Sequence, residues 1–259
     1  MSLALAHKRR VREQGATAAA TTGVRVYTPA TALAGPANAQ KHLALMTAAM
    51  AADLERISAI NSREVRQALK RDELLPKYLD YVQRYRESGL NHPNPVLMQV
   101  LVWLFDTAQF EAGLDLADFA IGQGQELPER FKRDVPTFVA DELIDWAEAE
   151  HKAGRSPEPY VSQLLPRVDG YWALINAEDE ADLPKPWELF ERIPARFHKL
   201  LGILAMEAEQ WALAIDHFER AAALYPEIGV KTRTDEASKA LRKQQAEQGS
   251  ADQGGNPTE

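Results

Sequence analysis

Apolar residues recur at three- and four-residue spacings through most of the chain, and no segment alternates apolar and polar positions for the length of a strand between turn residues. The pattern predicts an all-α fold. Asp53 to Lys70 sets Leu54, Ile57, Val65, Ala68 and Leu69 on one face of a helix, and a second helix is expected from near Pro76, with Tyr78, Leu79, Val82 and Tyr85 on one side. After Gly89, Pro93 and Pro95 break the chain, Val96 to Ala108 and Glu111 to Gln123 read as two helices about a short turn. Val135 to Lys152 reads as a long amphipathic helix using Phe138, Val139, Leu143, Ile144, Trp146 and Ala147. Tyr160 to Ile175 is moderately apolar, and 176–194 combines Glu178, Asp179, Glu180 and Asp182 with three prolines, the composition of an exposed connector.

The last helical pair is the best-defined piece. Arg196 to Glu209 and Trp211 to Tyr225 match the tetratricopeptide pattern through Leu201, Gly202, Ala214, Phe218, Ala221 and Pro226, with His198 and Ala205 in place of its usual large aromatics. Small Gly202 and Ala214 let the helices approach, Phe218 fills the groove and Pro226 stops the second helix. A weaker copy runs through Leu101, Phe110, Gly113, Ala117 and Ala120, offset by 101 residues when Gly113 is aligned with Ala214. Two separated copies do not make a solenoid.

The chain therefore divides into a flexible basic arm (1–40), an N-terminal helical pair (41–89) as candidate DNA-binding or oligomerisation region, a central helical region (90–175), the acidic connector (176–194), the tetratricopeptide-like hairpin (195–245) and a disordered tail (246–259). The arm and tail are rich in small and polar residues and bury too little to offset chain entropy.

With 259 residues, 45% of them hydrophobic and 26% charged, the composition is that of an ordinary globular chain. No run approaches the roughly 18 apolar residues of a spanning helix. Leu3 to Ala6 precede the basic Lys8, Arg9 and Arg10, the reverse of a secretory signal, so a cytosolic protein is expected. The absence of cysteine excludes disulfides, thiolate metal sites and cysteine nucleophiles. The net charge of −8 hides an asymmetry: residues 1–87 hold 14 Lys+Arg and 8 Asp+Glu, a net of +6, leaving −14 for the rest. A positive N-terminal part suits phosphate contact, and a solvated tail that binds nothing has the same composition.

Candidate chemistry is sparse. The fourteen glycines form no phosphate cradle, and the six histidines show neither an i, i+4 pair nor a zinc-type spacing, so no catalytic residue, cofactor or metal site is expected. His198 and His217 are expected in packing or surface roles. Asp141, Glu142, Asp145, Glu148 and Glu150 share one helix and read as its solvated face. Two basic groups stand out. Arg56, Arg63, Arg66 and Lys70 recur at i, i+7, i+10 and i+14 on the expected first helix, a stripe suited to a phosphate backbone. Lys8, Arg9, Arg10 and Arg12 form a denser patch in the arm. Asp53, Glu55 and Glu64 flank the stripe, so a solvated face with local ion pairs is the competing reading.

The stretch Glu64 to Val82 with its Leu74-Leu75-Pro76, the segment Leu97 to Leu114 with Trp103-Leu104-Phe105-Asp106-Thr107, followed by Ala117 and Ala120, and the terminal hairpin with Ala214, His217, Phe218 and Ala221 resemble the small terminase subunit of temperate tailed phages of the coliphage P-two type. The resemblance covers roughly residues 41–243. It implies a non-catalytic packaging protein that recognises the packaging site on phage duplex DNA in the host cytoplasm and forms a ring-like homo-oligomer. It also implies a partner, a large terminase subunit that holds the ATPase and nuclease sites, and no membrane. A Lys/Arg-rich C-terminal extension expected of this type is missing from Gln248 to Glu259, which moves the expected DNA contact to Lys8, Arg9, Arg10, Arg12 and the stripe. The alternative is a helical-repeat protein–protein adaptor without DNA binding.

Overall fold

A computed structural model describes residues 36–176 and 183–253. Among the described residues every regular element is helical. In chain order these are α1 (Pro36–Ser58), α2 (Arg63–Leu69), a π turn (Lys70–Leu74), α3 (Leu75–Glu87), α4 (Pro95–Asp106), α5 (Phe110–Gly122), α6 (Val135–Lys152), α7 (Tyr160–Val168), α8 (Gly170–Asn176), α9 (Arg192–Glu207), α10 (Trp211–Leu224) and α11 (Lys231–Gln253).

The core is built around α4. Every residue from Val96 to Phe105 is buried, as a helix apolar on all sides must be. Asn94 starts it, accepting the Leu97 N–H at 3.1 Å, with Pro95 in the first turn. Helices α1, α3, α5 and α6 pack on it or on one another, and α7 and α9 close over α6. Asp134 caps α6 through the Thr137 N–H at 2.9 Å, and Gly154 in the left-handed region (φ +73°) ends it. A separate small core of Ala205, Ala214, Phe218, Ala221, Val230 and Ala237 holds α9, α10 and α11 together.

Two expectations are corrected. The helix from Asp53 to Lys70 is not continuous: α1 ends at Ser58, residues 59–62 turn the chain, and the Ser62 hydroxyl caps α2 by accepting the Val65 N–H at 3.3 Å. The break satisfies a new helix start with a serine, which the apolar spacing does not reveal. Nor does a new helix start at Pro76. Helical backbone runs unbroken from Arg63 to Glu87, and the π turn just ahead of the proline, with the Leu75 N–H bonded to the Lys70 carbonyl, accommodates the missing Pro76 N–H.

The ends differ as well. Helix α1 reaches back to Pro36, with Ala39 buried, so the last five residues of the expected arm are helical. Helix α11, unassigned in the sequence reading, continues to Gln253, through the first part of the expected tail. Lys8, Arg9, Arg10 and Arg12, the acidic run at 178–182 and residues 254–259 lie outside the described residues. From 183 to 190 the chain has no regular structure but is fastened: the Trp187 N–H reaches the Arg167 carbonyl at 2.7 Å.

The α9–α10 pair is an antiparallel hairpin with Gly202 and Phe218 both buried at its centre. A Cβ at position 202 would lie 2.5 Å from Phe218 Cε1, so Gly202 is required by close approach. Gly202→Ala is expected to cost about 1–3 kcal/mol through overpacking, measured by urea unfolding. A cost under about 0.5 kcal/mol would mean that Phe218 simply moves aside. The α4–α5 pair turns in the same way. Ala108 and Glu209 both adopt left-handed backbone, and the N–H groups of Gln109 and Gln210 reach back to the carbonyls of Leu104 and Ala205 at 2.9 and 2.8 Å. The likeness of α9–α10 to tetratricopeptides remains one of sequence spacing.

Candidate nucleic-acid interface

Helix α2 carries Arg63, Arg66 and Lys70's neighbours on a segment that buries none of its own side chains. Because they stay within one helical rod, Arg63, Arg66 and Lys70 still share a face despite the corrected boundary, and with Arg71 they form one wall of an open groove of about 660 Å³. Arg56 is separated from them. It lies on α1 and makes a two-pronged ion pair with Glu73 of the π turn.

Each member of the wall is held differently. The Lys70 Nζ sits 2.6 Å from Asp106 Oδ2, and its side chain is only 14% exposed. Arg66 donates to the Ile60 carbonyl at 3.2 Å, across the turn that joins α1 to α2. Arg71 pairs with Asp72 at 2.9 Å on the outer side, and Arg63 is exposed beside Glu64. Gln67 adds a bond from Nε2 to the Asp106 carbonyl at 3.0 Å, so Asp106 at the end of α4 holds both Gln67 of α2 and Lys70 of the π turn.

Phe105 to Ala108 floor the groove, and the opposite wall is α6 with Glu142, Asp145 and Glu150. The α6 carboxylates expected as a solvated face all have arginine partners. Arg133 bonds Asp141 at 2.8 Å and Glu142 at 2.5 Å, Arg196 bonds Asp145 at 2.6 Å and Glu148 at 2.8 Å, and Arg155 bonds Glu150 at 2.5 Å. Burial pushes the Glu142 carboxyl above its usual range, with the Arg133 guanidinium working against the rise. Among the described residues no group of three or more His, Asp or Glu side chains is placed to hold a metal ion. No helix among them is long and apolar enough to cross a membrane.

A second polar cluster, invisible to sequence spacing, lies where α9 and α10 meet the body. Asp169 sits between α7 and α8 and accepts four bonds: from His198 Nε2 at 3.1 Å, from Arg220 Nε at 2.6 Å and Nη2 at 2.9 Å, and from the Trp172 N–H at 3.2 Å. Since His198 donates from Nε2, its Nδ1 is the acceptor in the neutral ring, and His217 Nδ1 donates to it at 2.9 Å. Trp172 stacks on His217 with ring centroids 4.6 Å apart. The two histidines read as packing or surface residues are thus buried members of a hydrogen-bonded latch.

Residues 47–176, which take in α2, the π turn and both walls of the groove, match the family model described as "Phage small terminase subunit". The chain belongs to that family. A protein of Haemophilus phage HP1 (strain HP1c1) named "Probable terminase, endonuclease subunit" is 35% identical over 188 residues, 73% of this chain and 66% of that protein. The "Terminase, endonuclease subunit" of Escherichia phage P2 is 29% identical over 197 residues, 76% of this chain and 73% of that protein. The chain thus spans a little under two thirds of the HP1 relative. No solved structure matches it. The small terminase match ends at the last residue of α8, so α9, α10 and α11 lie beyond it, joined to the matched part through the Asp169 latch, the Arg196 ion pairs and the side of α9 that enters the main core.

Proposed function

We propose that this chain is the non-catalytic small subunit of a phage DNA-packaging terminase. It recognises the packaging site of the genome in the host cytoplasm, assembles as a ring-like homo-oligomer and regulates a large subunit that supplies ATP hydrolysis and DNA cutting. The observation that carries the reading is the family match over 47–176, which contains the cationic wall of the groove, Arg63, Arg66, Lys70 and Arg71. Lys8, Arg9, Arg10 and Arg12 add a sequence-independent hold on phosphate. Arg56, tied to Glu73, contributes least.

The names of the HP1 and P2 relatives favour a second reading, in which this chain itself cuts DNA. Against it stand the α6 carboxylates, whose oxygens are bonded to Arg133, Arg196 and Arg155. One experiment separates the readings. The purified protein is titrated into labelled duplex DNA at two salt concentrations, with and without magnesium, and the DNA is then run on a gel. Binding that weakens steeply with salt while the duplex stays intact is the expected result. Cutting that co-purifies with the protein and is lost in Asp141→Asn or Asp145→Asn would make it a nuclease, and binding to neither salt condition would leave a protein–protein adaptor.

A further inference from the structure

We propose that Asp106, backed by the α6 wall, is a built-in competitor for DNA phosphate, holding Lys70 of the π turn in an intramolecular contact that DNA must displace. The inference rests on the DNA-binding reading and concerns how that contact is regulated. Three observations lead to it.

First, α2 has no fully buried side chain of its own and is held by its helical continuity with α3 and by Leu69 at the edge of the core. What ties it across the groove is Asp106, through its carbonyl to Gln67 and its carboxylate to Lys70. Second, the Lys70 ammonium is turned toward Asp106 and largely covered, whereas Arg63 and Arg71 on the same wall face solvent. A phosphate reaching Lys70 takes the place of the Asp106 carboxylate, because both are anions competing for one donor head. Third, the opposite wall carries Glu142, Asp145 and Glu150, and the five carboxylates of α6 share three arginines, so the ion pairs leave that wall with an excess of negative charge toward an approaching duplex.

The consequence is a protein whose hold on arbitrary DNA is reduced by its own acidic wall. Asp106 is the more exposed partner of the pair, at 36%, so its carboxylate can be altered at the groove surface. Asp106→Asn keeps the carbonyl that Gln67 uses and removes only the competitor.

The test is fluorescence polarisation of the full chain against a labelled duplex over a salt series, for the wild type, Asp106→Asn, Lys70→Gln and the double variant, with folding checked by circular dichroism. Asp106→Ser replaces the Asn variant should that one fail to fold. Freeing one phosphate contact steepens the slope of log affinity against log salt by about 0.9, which is about an eightfold gain in affinity at 0.1 M salt. That gain is expected in Asp106→Asn and absent when Lys70→Gln is already present. Asp80→Asn, which removes an exposed carboxylate from the Arg84 pair on α3, is expected to change affinity less than twofold. Equal affinities for wild type and Asp106→Asn overturn the competitor, and so does the same gain in the Lys70→Gln background, which would show a general field rather than competition at one lysine. If no protein in the set binds DNA at all, the DNA-binding reading itself falls.

Discussion

Replacing Asp169 by Ala is expected to lower the unfolding free energy by about 3–5 kcal/mol, because it removes one side of a buried charged cluster and leaves the other side in place. Arg220, His198 and the Trp172 N–H all lose their acceptor at once, and His198 is fully buried. Urea unfolding followed by tryptophan fluorescence measures the loss, and a value below about 1 kcal/mol would show that the latch is incidental. The same cluster sets an acid limit on stability. Burial and the facing His198 hold the His217 imidazole down to about 4, and burial also lowers His198 despite the neighbouring Asp169. A lowered histidine stabilises the fold while neutral, so its contribution is complete above the ordinary value of 6.5 and is lost as the pH falls toward 4. His217 alone should cost about 2 kcal/mol by pH 5. Burial works to raise Asp169, but the bonds from His198, Arg220 and the Trp172 N–H outweigh it and hold the carboxyl below its usual range, so its contribution disappears only in stronger acid. His217→Phe should start less stable and lose less between pH 7 and 5. An unchanged pH dependence in that variant would place the acid sensitivity elsewhere.

Removing residues 1–34 is expected to weaken duplex binding by two or more orders of magnitude at low salt, while the helical fold persists. The cut stops short of Pro36 because α1 begins there and buries Ala39. Lys8, Arg9, Arg10 and Arg12 each account for about 0.9 in the slope of log affinity against log salt if each neutralises one phosphate. Replacing Arg63, Arg66 and Lys70 together by Gln should produce a smaller loss of affinity and a larger loss of discrimination between DNA sequences, since a helix fixes its side chains in space and an arm does not. Truncation after Gln253 is the control, placed there because α11 occupies the residues before it. Loss of binding after that cut, with none after the N-terminal one, would move the DNA contact to the other end of the chain.

What the sequence makes legible follows how locally each feature is encoded. Val135 to Lys152 is read with its observed boundaries because its apolar stripe, Phe138, Val139, Leu143, Ile144, Trp146 and Ala147, lies within the element. The glycine of the α9–α10 hairpin is equally legible, since Gly202 and Phe218 stand at a recognised spacing. Helices α1 and α11 escape the reading for different reasons. Helix α11 is polar, with Ala237 its fully buried side chain among the described residues, whereas α1 carries Leu43, Met46, Met50, Leu54 and Ile57 at helical spacing among many alanines, and only the last two of these entered the expected helix. The Asp169 cluster joins residues 29 and 51 positions apart, and no local spacing announces it. One partner of the α6 carboxylates is similarly remote: Arg196 lies 48 and 51 positions from Glu148 and Asp145. At the groove, the sequence places Arg63, Arg66 and Lys70 together correctly and joins Arg56 to them wrongly, because one unrecognised turn at 59–62 separates the helices.

The π turn at Lys70–Leu74 adds a residue to the helical rod without breaking it. In a helix of 3.6 residues per turn, one extra residue advances everything on its N-terminal side by about 100° relative to everything beyond it. Helix α3 is locked in orientation by Tyr78, Tyr81, Val82 and Tyr85 in the core, so the heading of Arg63 and Arg66 around the rod is decided at this one point. Taking that residue out would turn the cations away from the groove while leaving every one of them in the chain. The rod is therefore geared: its buried end fixes the angle, its π turn sets the offset, and its exposed end presents the charge.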